Sequence, residues 1–498
     1  MKTMKNTLFP ALAVVLAVSA SPAAAQADFT KFVAVGASVD AGFIDSCWVK
    51  HGQTDSWPAI FARQAGVSGF QQPIVGEPGL GPCQILTSLA PTFSYAPNTG
   101  KPENLTLARP YDNLAIPGYL GASVVNCKTS VTDPTNPLYV PCNNALIDLV
   151  LRGSGATVLQ QAASLKPTFF AIGVLGNELL RPATGGTVID GVTLISKEAY
   201  AASYKTIVDT MKAAQGGTGK GIAATIPDVT TLPYFTAVKP VIGVNPSTGA
   251  PIYVLGPTGC PTGVPACPVP AGTIVPLPLG SLMKAGYGIP CAVAPTLPKC
   301  NTPLPDNATA IGGTTVPGLL YPSEVSLLKT RGGEYNAQIS SLAQGAGYKV
   351  FDTSALLTDI AAHGVEYAGI TLTSSYLAGG VFSYDGVHPS ATGYAIVADA
   401  LVEFVNANYG TSLPRVDMST YLFNGNTSSG GFPASSYGPP TQQEIIDFAA
   451  AYFTPAVLDA FWQIMGSPVV SDGIAFGGGE TDNPTPVVTR ERRAKVID

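Results

Sequence analysis

The clearest pattern along the chain is a set of short apolar runs, each bounded by glycine, proline or polar residues. Runs of about four to eight such residues predict strands that are buried on both faces of a sheet. The four runs span residues 31–36, 168–174, 221–226 and 348–352. Because long stretches with helical periodicity separate them, we predict that these strands run parallel in one sheet.

The stretches between the runs carry apolar residues at helical spacing. The clearest one spans residues 197–214 and is amphipathic. Another begins after Ser56, which precedes Trp57 and Pro58 as a capping residue does. The remaining predicted helices span residues 143–152, 157–165, 323–344, 354–362 and 392–406. This alternation predicts an α/β fold in which helices cover both faces of a parallel sheet.

The alternation stops between residues 237 and 318, where Pro and Gly are frequent and no helical period persists. We therefore expect a first core part, an irregular disulfide-stapled insertion, a second core part and a C-terminal extension with some helix and a loose tail. They span residues 26–236, 237–318, 319–410 and 411–498, with extension helices at 442–452 and 455–464. The insertion leaves the carboxyl end of the third strand, where such sheets bind ligands, so we expect it to border the site and influence substrate choice.

Residues 1–25 have the organisation of a secretory signal peptide. Lys2 and Lys5 precede an apolar stretch that extends to about Ala20, and small residues follow at Ala23 and Ala25. An uncleaved membrane anchor is the alternative, but the apolar stretch is shorter than the roughly 20 residues that span a bilayer. We expect a secreted protein, extracellular or periplasmic, without stable membrane insertion.

Eight cysteines fit an exported chain, because oxidising compartments favour disulfides. If sequence neighbours pair, the bridges are Cys47–Cys83, Cys127–Cys142, Cys260–Cys267 and Cys291–Cys300. Sequence alone leaves other connectivities open. A zinc site is a further alternative, but the chain has no Cys-x-x-Cys pair to suggest one.

Composition narrows the function classes. The chain is 46% hydrophobic and only 12% charged, which excludes a charge-rich disordered protein. A net charge of −6 without a basic patch argues against nucleic acid as a partner, and the basic residues at 490–495 fit a solvated terminus. The sequence has no metal-ligand cluster, Gly-rich phosphate loop or G-x-S-x-G motif. We therefore expect no metal, no cofactor and no standard α/β-hydrolase site.

A candidate nucleophile follows the first strand. Ser38 lies between Gly36 and Gly42, in a turn that would present its Oγ at the carboxyl edge of the sheet. A polar turn serine with no catalytic role is the alternative. The chain has only three histidines that could serve as the base. Two of them have ordinary explanations, because His51 fits a polar surface loop and His363 fits a helix end.

The third histidine, His388, has a carboxylate three residues before it, at Asp385. In a loop that turns into a helix, Asp385 can orient the imidazole through Nδ1 and leave Nε2 free, as a Ser–His–Asp relay requires. An aspartate that caps a turn beside a surface histidine is the alternative. Phe382, Tyr384 and Trp48 are candidates for an acyl pocket, although core packing also explains them.

Four blocks of the chain together resemble the signature blocks of the SGNH hydrolases, also called the G-D-S-L lipase/esterase family. They are residues 36–42 (GASVDAG), 113–118 (NLAIPG), 175–178 (LGNE) and 385–389 (DGVHP). The resemblance covers residues 31–235 and about 320–408, with the blocks in the family's order. Ala37, Leu175 and Glu178 replace the family's usual Asp, Gly and Asp, so the subfamily and the substrate stay open.

The resemblance implies a three-layer α/β/α fold of the SGNH, flavodoxin-like type. It also implies a triad of Ser38, Asp385 and His388. The oxyanion hole would consist of the Ser38 and Gly118 N–H groups and the Asn177 amide. Such a site belongs to a serine esterase or lipase that cleaves small-molecule or lipid esters. Deacetylation of an extracellular polysaccharide and a catalytically idle binding module are the alternatives, and the oligomeric state stays open.

Overall fold

A computed structural model describes residues 27–88, 92–130, 142, 144–367 and 369–422. The predicted signal peptide at residues 1–25, the predicted helices at 442–452 and 455–464 and the basic residues at 490–495 lie outside these ranges.

Four of the strands form a parallel sheet. In chain order, the strands are β1 (Phe32–Val35), β2 (Phe43–Ile44), β3 (Cys47–Trp48), β4 (Gln84–Ser88), β5 (Thr92–Tyr95), β6 (Phe169–Ile172), β7 (Gly221–Ala224), β8 (Val241–Val244), β9 (Pro251–Tyr253), β10 (Leu255–Gly256), β11 (Cys267–Pro268), β12 (Thr309–Ile311), β13 (Thr314–Val316), β14 (Lys349–Phe351), β15 (Val365–Tyr367) and β16 (Ile370–Leu372). The sheet has the spatial order β1-β6-β7-β14, with all neighbours parallel. These are the four predicted strands, so the parallel sheet and the mixed α/β class are confirmed.

The segment around Asn113 extends this sheet beyond β1. Ala34 of β1 forms a parallel bridge with Asn113. The Ala34 N–H donates to the Asp112 carbonyl at 2.8 Å, and the Leu114 N–H donates to the Ala34 carbonyl at 2.9 Å. The chain that leads from Asn113 to Gly118 therefore starts beside β1 and ends near the carboxyl edge of the sheet.

The helices connect and flank these strands. In chain order, they are α1 (Lys50–Thr54), α2 (Trp57–Gln64), α3 (Gly121–Asn126), α4 (Leu146–Leu151), α5 (Val158–Ser164), α6 (Asn177–Gly185), α7 (Lys197–Ala214), α8 (Pro233–Thr236), α9 (Leu279–Lys284), α10 (Pro322–Ala346), α11 (Thr353–His363), α12 (Ala391–Tyr409) and α13 (Ser419–Leu422). Each predicted helix within the described ranges is confirmed, with ends that differ by a few residues. The sequence pattern does not predict the helices α1, α3, α6, α8, α9 and α13.

Local capping explains where several helices begin. Ser390 precedes α12, and its Oγ accepts the Gly393 N–H at 3.0 Å. Thr157 and Gln160 cap α5 reciprocally, each side chain accepting the other's backbone N–H. In the packed structure α12 contacts α2 and β14, whereas α10 contacts α7, β7 and β14. These contacts fix the loop before α12, which carries His388, against the sheet.

The insertion contains more regular structure than its sequence predicts, so its description as irregular is wrong in part. Three pairs of short antiparallel strands, β8–β9, β10–β11 and β12–β13, lie within it together with α9. Strands of two to four residues are too short to give a readable alternation of apolar and polar positions. Its buried side chains form a small core separate from the main one, built around Val254, Val275, Leu279, Leu304 and Val316.

All four expected disulfides are present: Cys47–Cys83, Cys127–Cys142, Cys260–Cys267 and Cys291–Cys300. Two of them staple the insertion. Disulfides are typical of oxidising, extracytoplasmic compartments, so the bridges are consistent with an extracellular protein. No helix within the described ranges has the length and apolar character needed to cross a membrane.

Candidate active site

Ser38 stands in the turn that follows β1, and Asp40 holds that turn in place. The Asp40 carboxylate accepts hydrogen bonds from the Ala37 N–H at 2.8 Å and from the Trp57 indole N–H at 2.9 Å. It also accepts the Val174 N–H, just beyond β6, at 3.2 Å. The serine turn is thereby tied to α2 and to the neighbouring strand of the sheet.

Two glycines make room for this carboxylate. A Cβ at Gly36 would lie 2.0 Å from Asp40 Oδ2, and a Cβ at Gly173 would lie 2.0 Å from Oδ1. Any other residue at either position would displace the carboxylate. Burial raises the pKa of Asp40 to about 7, although the N–H groups that it accepts oppose this shift. Gly36 therefore serves the packing of Asp40 beneath the serine turn.

Asp385 and His388 form a closely bound pair before α12. His388 Nδ1 lies 2.8 Å from Asp385 Oδ2, while Oδ1 accepts the N–H groups of Val387 and His388 at 2.8 and 2.9 Å. Burial would raise the pKa of Asp385, but the charge and hydrogen bonds of His388 and the Val387 N–H outweigh it and lower the pKa to about 2. Asp385 is therefore an anion at neutral pH.

The second ring nitrogen of His388 has a different environment. Nε2 is buried and has no hydrogen-bond partner among the described residues. A buried polar nitrogen without a partner destabilises the fold, and such atoms are uncommon away from functional sites. Since Asp385 holds Nδ1, Nε2 is the nitrogen through which His388 can exchange a proton with a substrate or a nucleophile.

The turn between β2 and β3 holds the Asp385 loop from the side of the serine turn. Asp45 and Ser46 both have positive φ, 53° and 60°, as in the two-residue hairpin turns that match strand twist. The Ser46 N–H donates to Asp385 Oδ2 at 2.8 Å, and the Asp45 N–H donates to Ser383 Oγ at 3.1 Å. Asp45 Oδ1 accepts the Tyr384 N–H at 2.8 Å. The chain after β1 and the chain before α12 are thus joined by three hydrogen bonds.

Phe43 links Ser38 to His388. The Phe43 N–H donates to the Ser38 carbonyl at 3.0 Å, and the Phe43 ring lies 4.9 Å from the His388 ring between centroids. Ser38 and His388 are both buried. Within the described ranges no hydrogen bond joins Ser38 Oγ to His388 Nε2, because Nε2 has no partner there. The structure therefore forms the Asp385–His388 pair fully and brings Ser38 to its neighbourhood.

The two remaining oxyanion candidates lie together. Asn177 is the first residue of α6, and its Nδ2 donates to the Tyr119 carbonyl at 2.7 Å, which leaves one amide N–H available. Gly118 has φ +79°, which a residue with a side chain adopts only under strain, and its carbonyl accepts from Arg181. The backbone N–H groups of Ser38 and Gly118 donate to no group in the described part of the chain. Within the described residues, these two N–H groups and one amide N–H of Asn177 therefore have no acceptor.

A cavity of about 130 Å³ is lined by both Ser38 and Asn177. Val387 and Pro389, the two neighbours of His388, also line it. Segments after β1 and β6 and before α12 therefore meet at one cavity, as expected for the carboxyl edge of a parallel sheet.

Of the three aromatic candidates, Phe382 lines this cavity. The Trp48 indole N–H donates to the Ala41 carbonyl at 3.0 Å, and Trp48 packs in the core. The Tyr384 ring lies 5.7 Å from the Phe93 ring of the β4–β5 hairpin.

The other two histidines lie elsewhere. His51 is on α1 rather than in a loop, and its Nδ1 lies 2.9 Å from Glu77 Oε1. His363 ends α11, with Nδ1 2.7 Å from Asp359 Oδ1. In the part of the chain that the structure describes, no cluster of His, Cys, Asp or Glu side chains is suited to hold a metal ion.

The sequence does not reveal the role of Ser46. The local sequence, with two polar residues between short apolar pairs, suggests only a hairpin turn at Asp45 and Ser46. It does not show that the Ser46 N–H binds Asp385, which lies 339 residues away.

A comparison with models of known protein families gives no match, and a comparison with curated protein sequences gives none either.

Proposed function

We propose that this chain is a secreted serine hydrolase of the SGNH type that cleaves carboxylic esters. The observation that carries the proposal is the Asp385–His388 pair, which is fully hydrogen-bonded at Nδ1 and unpartnered at Nε2. The His388 ring lies 4.9 Å from the ring of Phe43, between centroids, and the Phe43 N–H donates to the Ser38 carbonyl. A base, a nucleophile and an oxyanion site are the three parts that acyl transfer through serine requires.

In the proposed reaction, Ser38 Oγ attacks the ester carbonyl carbon while His388 Nε2 takes the hydroxyl proton. The carbonyl oxygen becomes an anion and is stabilised by the Ser38 and Gly118 N–H groups and the Asn177 amide. His388 then gives its proton to the leaving alkoxide, which departs as the alcohol and leaves an acyl-serine. A water molecule, deprotonated by the same nitrogen, releases the carboxylic acid and regenerates Ser38.

Two features of the fold support this proposal. Helices α2 and α12 pack together, as do α7 and α10, and both α10 and α12 contact the sheet. Such contacts suit a three-layer α/β/α arrangement of the SGNH, flavodoxin-like type. Four disulfides suit the secretion that residues 1–25 predict.

Labelling with a small ethyl fluorophosphonate tests the nucleophile directly, because only an activated serine reacts. We expect the wild type to be labelled at Ser38 and to hydrolyse p-nitrophenyl esters. Ser38→Ala should lose both properties while keeping its unfolding temperature. Ser281→Ala, which changes an exposed serine on α9, is the matched control and should keep both. A wild-type protein without labelling would make the chain an idle binding module, and labelling of another serine would refute Ser38.

The oxyanion hole has its own test. Asn177→Ala should lower kcat by roughly 10²–10³ with little change in KM, because the donor acts on charge that develops in the transition state. Asn408→Ala, at an exposed position on α12, serves as the control. An unchanged kcat in Asn177→Ala would place this amide outside the reaction.

A further inference from the structure

The cavity beside Ser38 continues along the sheet. Besides Ser38 and Asn177, it is lined by Ile222 and Ala224, which lie two residues apart and therefore on one face of β7. The cavity thus runs from the carboxyl edge of the sheet, where the candidate nucleophile stands, to a position over the middle of the sheet.

The far part of the cavity is lined by apolar side chains. Leu356, Leu357 and Ile360 of α11 line it, together with Phe351 of β14 and Val397 of α12. Burial of an apolar chain against such a surface is favourable, whereas a sugar or a charged group would lose its hydration without gaining partners.

The polar side chains that line the cavity are consistent with an apolar ligand at its far end. Ser38, Asp40 and Asn177 line it at the carboxyl edge of the sheet. Thr353, at the start of α11, uses its hydroxyl to bind the Thr225 carbonyl. The far end therefore has no free polar side chain that could bind a polar ligand, so it favours a hydrocarbon chain.

The reaction decides which half of an ester would occupy this space. The alcohol must leave past His388 in every turnover, and a water molecule must then reach the same nitrogen. The acyl group stays bonded to Ser38 through both steps. An apolar cavity beside Ser38 suits the part that stays, because the chain can remain buried in it through both steps.

We infer that the substrate is an ester of a linear, unbranched fatty acid, whose chain lies in this cavity between the sheet and the helices α11 and α12. This inference rests on the proposed ester hydrolysis at Ser38. A cavity of about 130 Å³ resembles in size the engineered apolar cavities of about 150 Å³ that accept benzene. The buried part of the acyl chain therefore has about six carbons.

The test compares p-nitrophenyl acetate, butanoate, hexanoate, octanoate and dodecanoate. For the wild type, kcat/KM should rise about fourfold per added methylene until the cavity is full, since each buried methylene contributes to binding. Leu357→Trp fills the cavity and should lower the hexanoate-to-acetate ratio of kcat/KM at least tenfold. Leu356→Ala enlarges the cavity and should move the optimum to a longer chain. Thr358→Trp adds the same bulk to α11 at an exposed position and should leave the ratio unchanged.

Opposite shifts in the filling and enlarging variants are the expected result, because destabilisation alone would not move the optimum in both directions. A flat wild-type profile, or a profile that neither variant changes, overturns the inference while ethyl fluorophosphonate labelling of Ser38 still supports ester hydrolysis. Loss of that labelling in the wild type refutes the proposed function itself. If Leu357→Trp does not fold, Leu356→Ala alone decides, since an unmoved optimum in a folded variant overturns the inference.

Discussion

Two buried carboxyl groups support the candidate site without belonging to the triad. Asp40 lies beneath the serine turn, and Glu178 follows Asn177 at the start of α6. Glu178 Oε1 accepts the Gly121 N–H at 2.7 Å, whereas Oε2 has no partner among the described residues. Burial raises the pKa of each carboxyl to about 7, against the opposing effect of the N–H groups that they accept. Both side chains therefore make the fold sensitive to pH.

The sign of this sensitivity follows from linkage. An unfolded Asp or Glu titrates near pH 4, so between about pH 4 and 7 the folded chain binds more protons than the unfolded chain. The free energy of unfolding should therefore fall as pH rises through this window. Asp40→Asn and Glu178→Gln should each reduce that fall, as measured by urea unfolding from pH 4.5 to 7.5. Asp209→Asn, at an exposed position on α7, should not. A wild-type slope in both buried variants would contradict the shifts.

The residues of the candidate site differ in how well the sequence predicts them. Asp385 and His388 are three positions apart, so their pairing is a local property that a sequence displays. Ser38 is predicted because its turn follows a strand whose apolar run is unambiguous. Ser46 is not, because the hydrogen bond between its N–H and Asp385 depends on how distant segments pack. A sequence shows which residues could react, but not which backbone groups hold them in place.

At the scale of elements, the β2–β3 hairpin is the connection between the nucleophile and the base. Its turn residues Asp45 and Ser46 bind the loop that contains Asp385, and Cys47 beside them is bridged to Cys83. The hairpin is short, so its geometry depends on the positive φ of both turn residues. We infer that Ser46 is a positioning residue, which acts on the reaction only through Asp385.

Substitution of Ser46 separates backbone geometry from side-chain chemistry. Ser46→Gly keeps the N–H and suits the positive φ, so its kcat should match the wild type. Ser46→Val is β-branched and strained at this φ, by about 1–3 kcal/mol, and should displace the N–H from Asp385. We expect its kcat to fall about tenfold with little change in KM, which corresponds to about 1.4 kcal/mol. Equal losses in both variants would instead assign the effect to the serine hydroxyl.

At the scale of the whole molecule, the insertion contacts segments that carry residues of the candidate site, but in the described part of the chain it does not line the cavity. The Tyr234 N–H donates to the Gly386 carbonyl at 2.9 Å, and the Tyr234 carbonyl accepts the Leu277 N–H of the insertion at 2.7 Å. The Gly318 N–H donates to the Gly185 carbonyl, at the end of α6, at 3.2 Å. No residue of the insertion lines the cavity in the described part of the chain. It therefore braces the loop of His388 and the helix of Asn177 from outside.

The two parts of the fold also differ in how predictable they are. The parallel sheet follows from four apolar runs, since burial on both faces leaves an unmistakable pattern. The insertion contains strands of only two to four residues, which are too short to show a periodic pattern in the sequence. Its two disulfides constrain this part of the chain. Its position against Gly386 depends on Tyr234, a residue that nothing in the local sequence distinguishes.

Replacement of residues 240–312 by a short Gly/Ser linker tests the bracing role. The cavity walls stay intact in this variant, so the hexanoate-to-acetate ratio of kcat/KM should stay as in the wild type. Tyr234, which binds the Gly386 carbonyl in the loop of Asp385 and His388, loses its hydrogen bond from Leu277. The loop is then held less firmly, so kcat should fall by a similar factor for both esters. A matched control replaces only the exposed turn at residues 246–249, which leaves the Leu277 bond in place and should preserve kcat. A changed ratio in a well-folded variant would instead give the insertion a direct part in selecting the acyl chain.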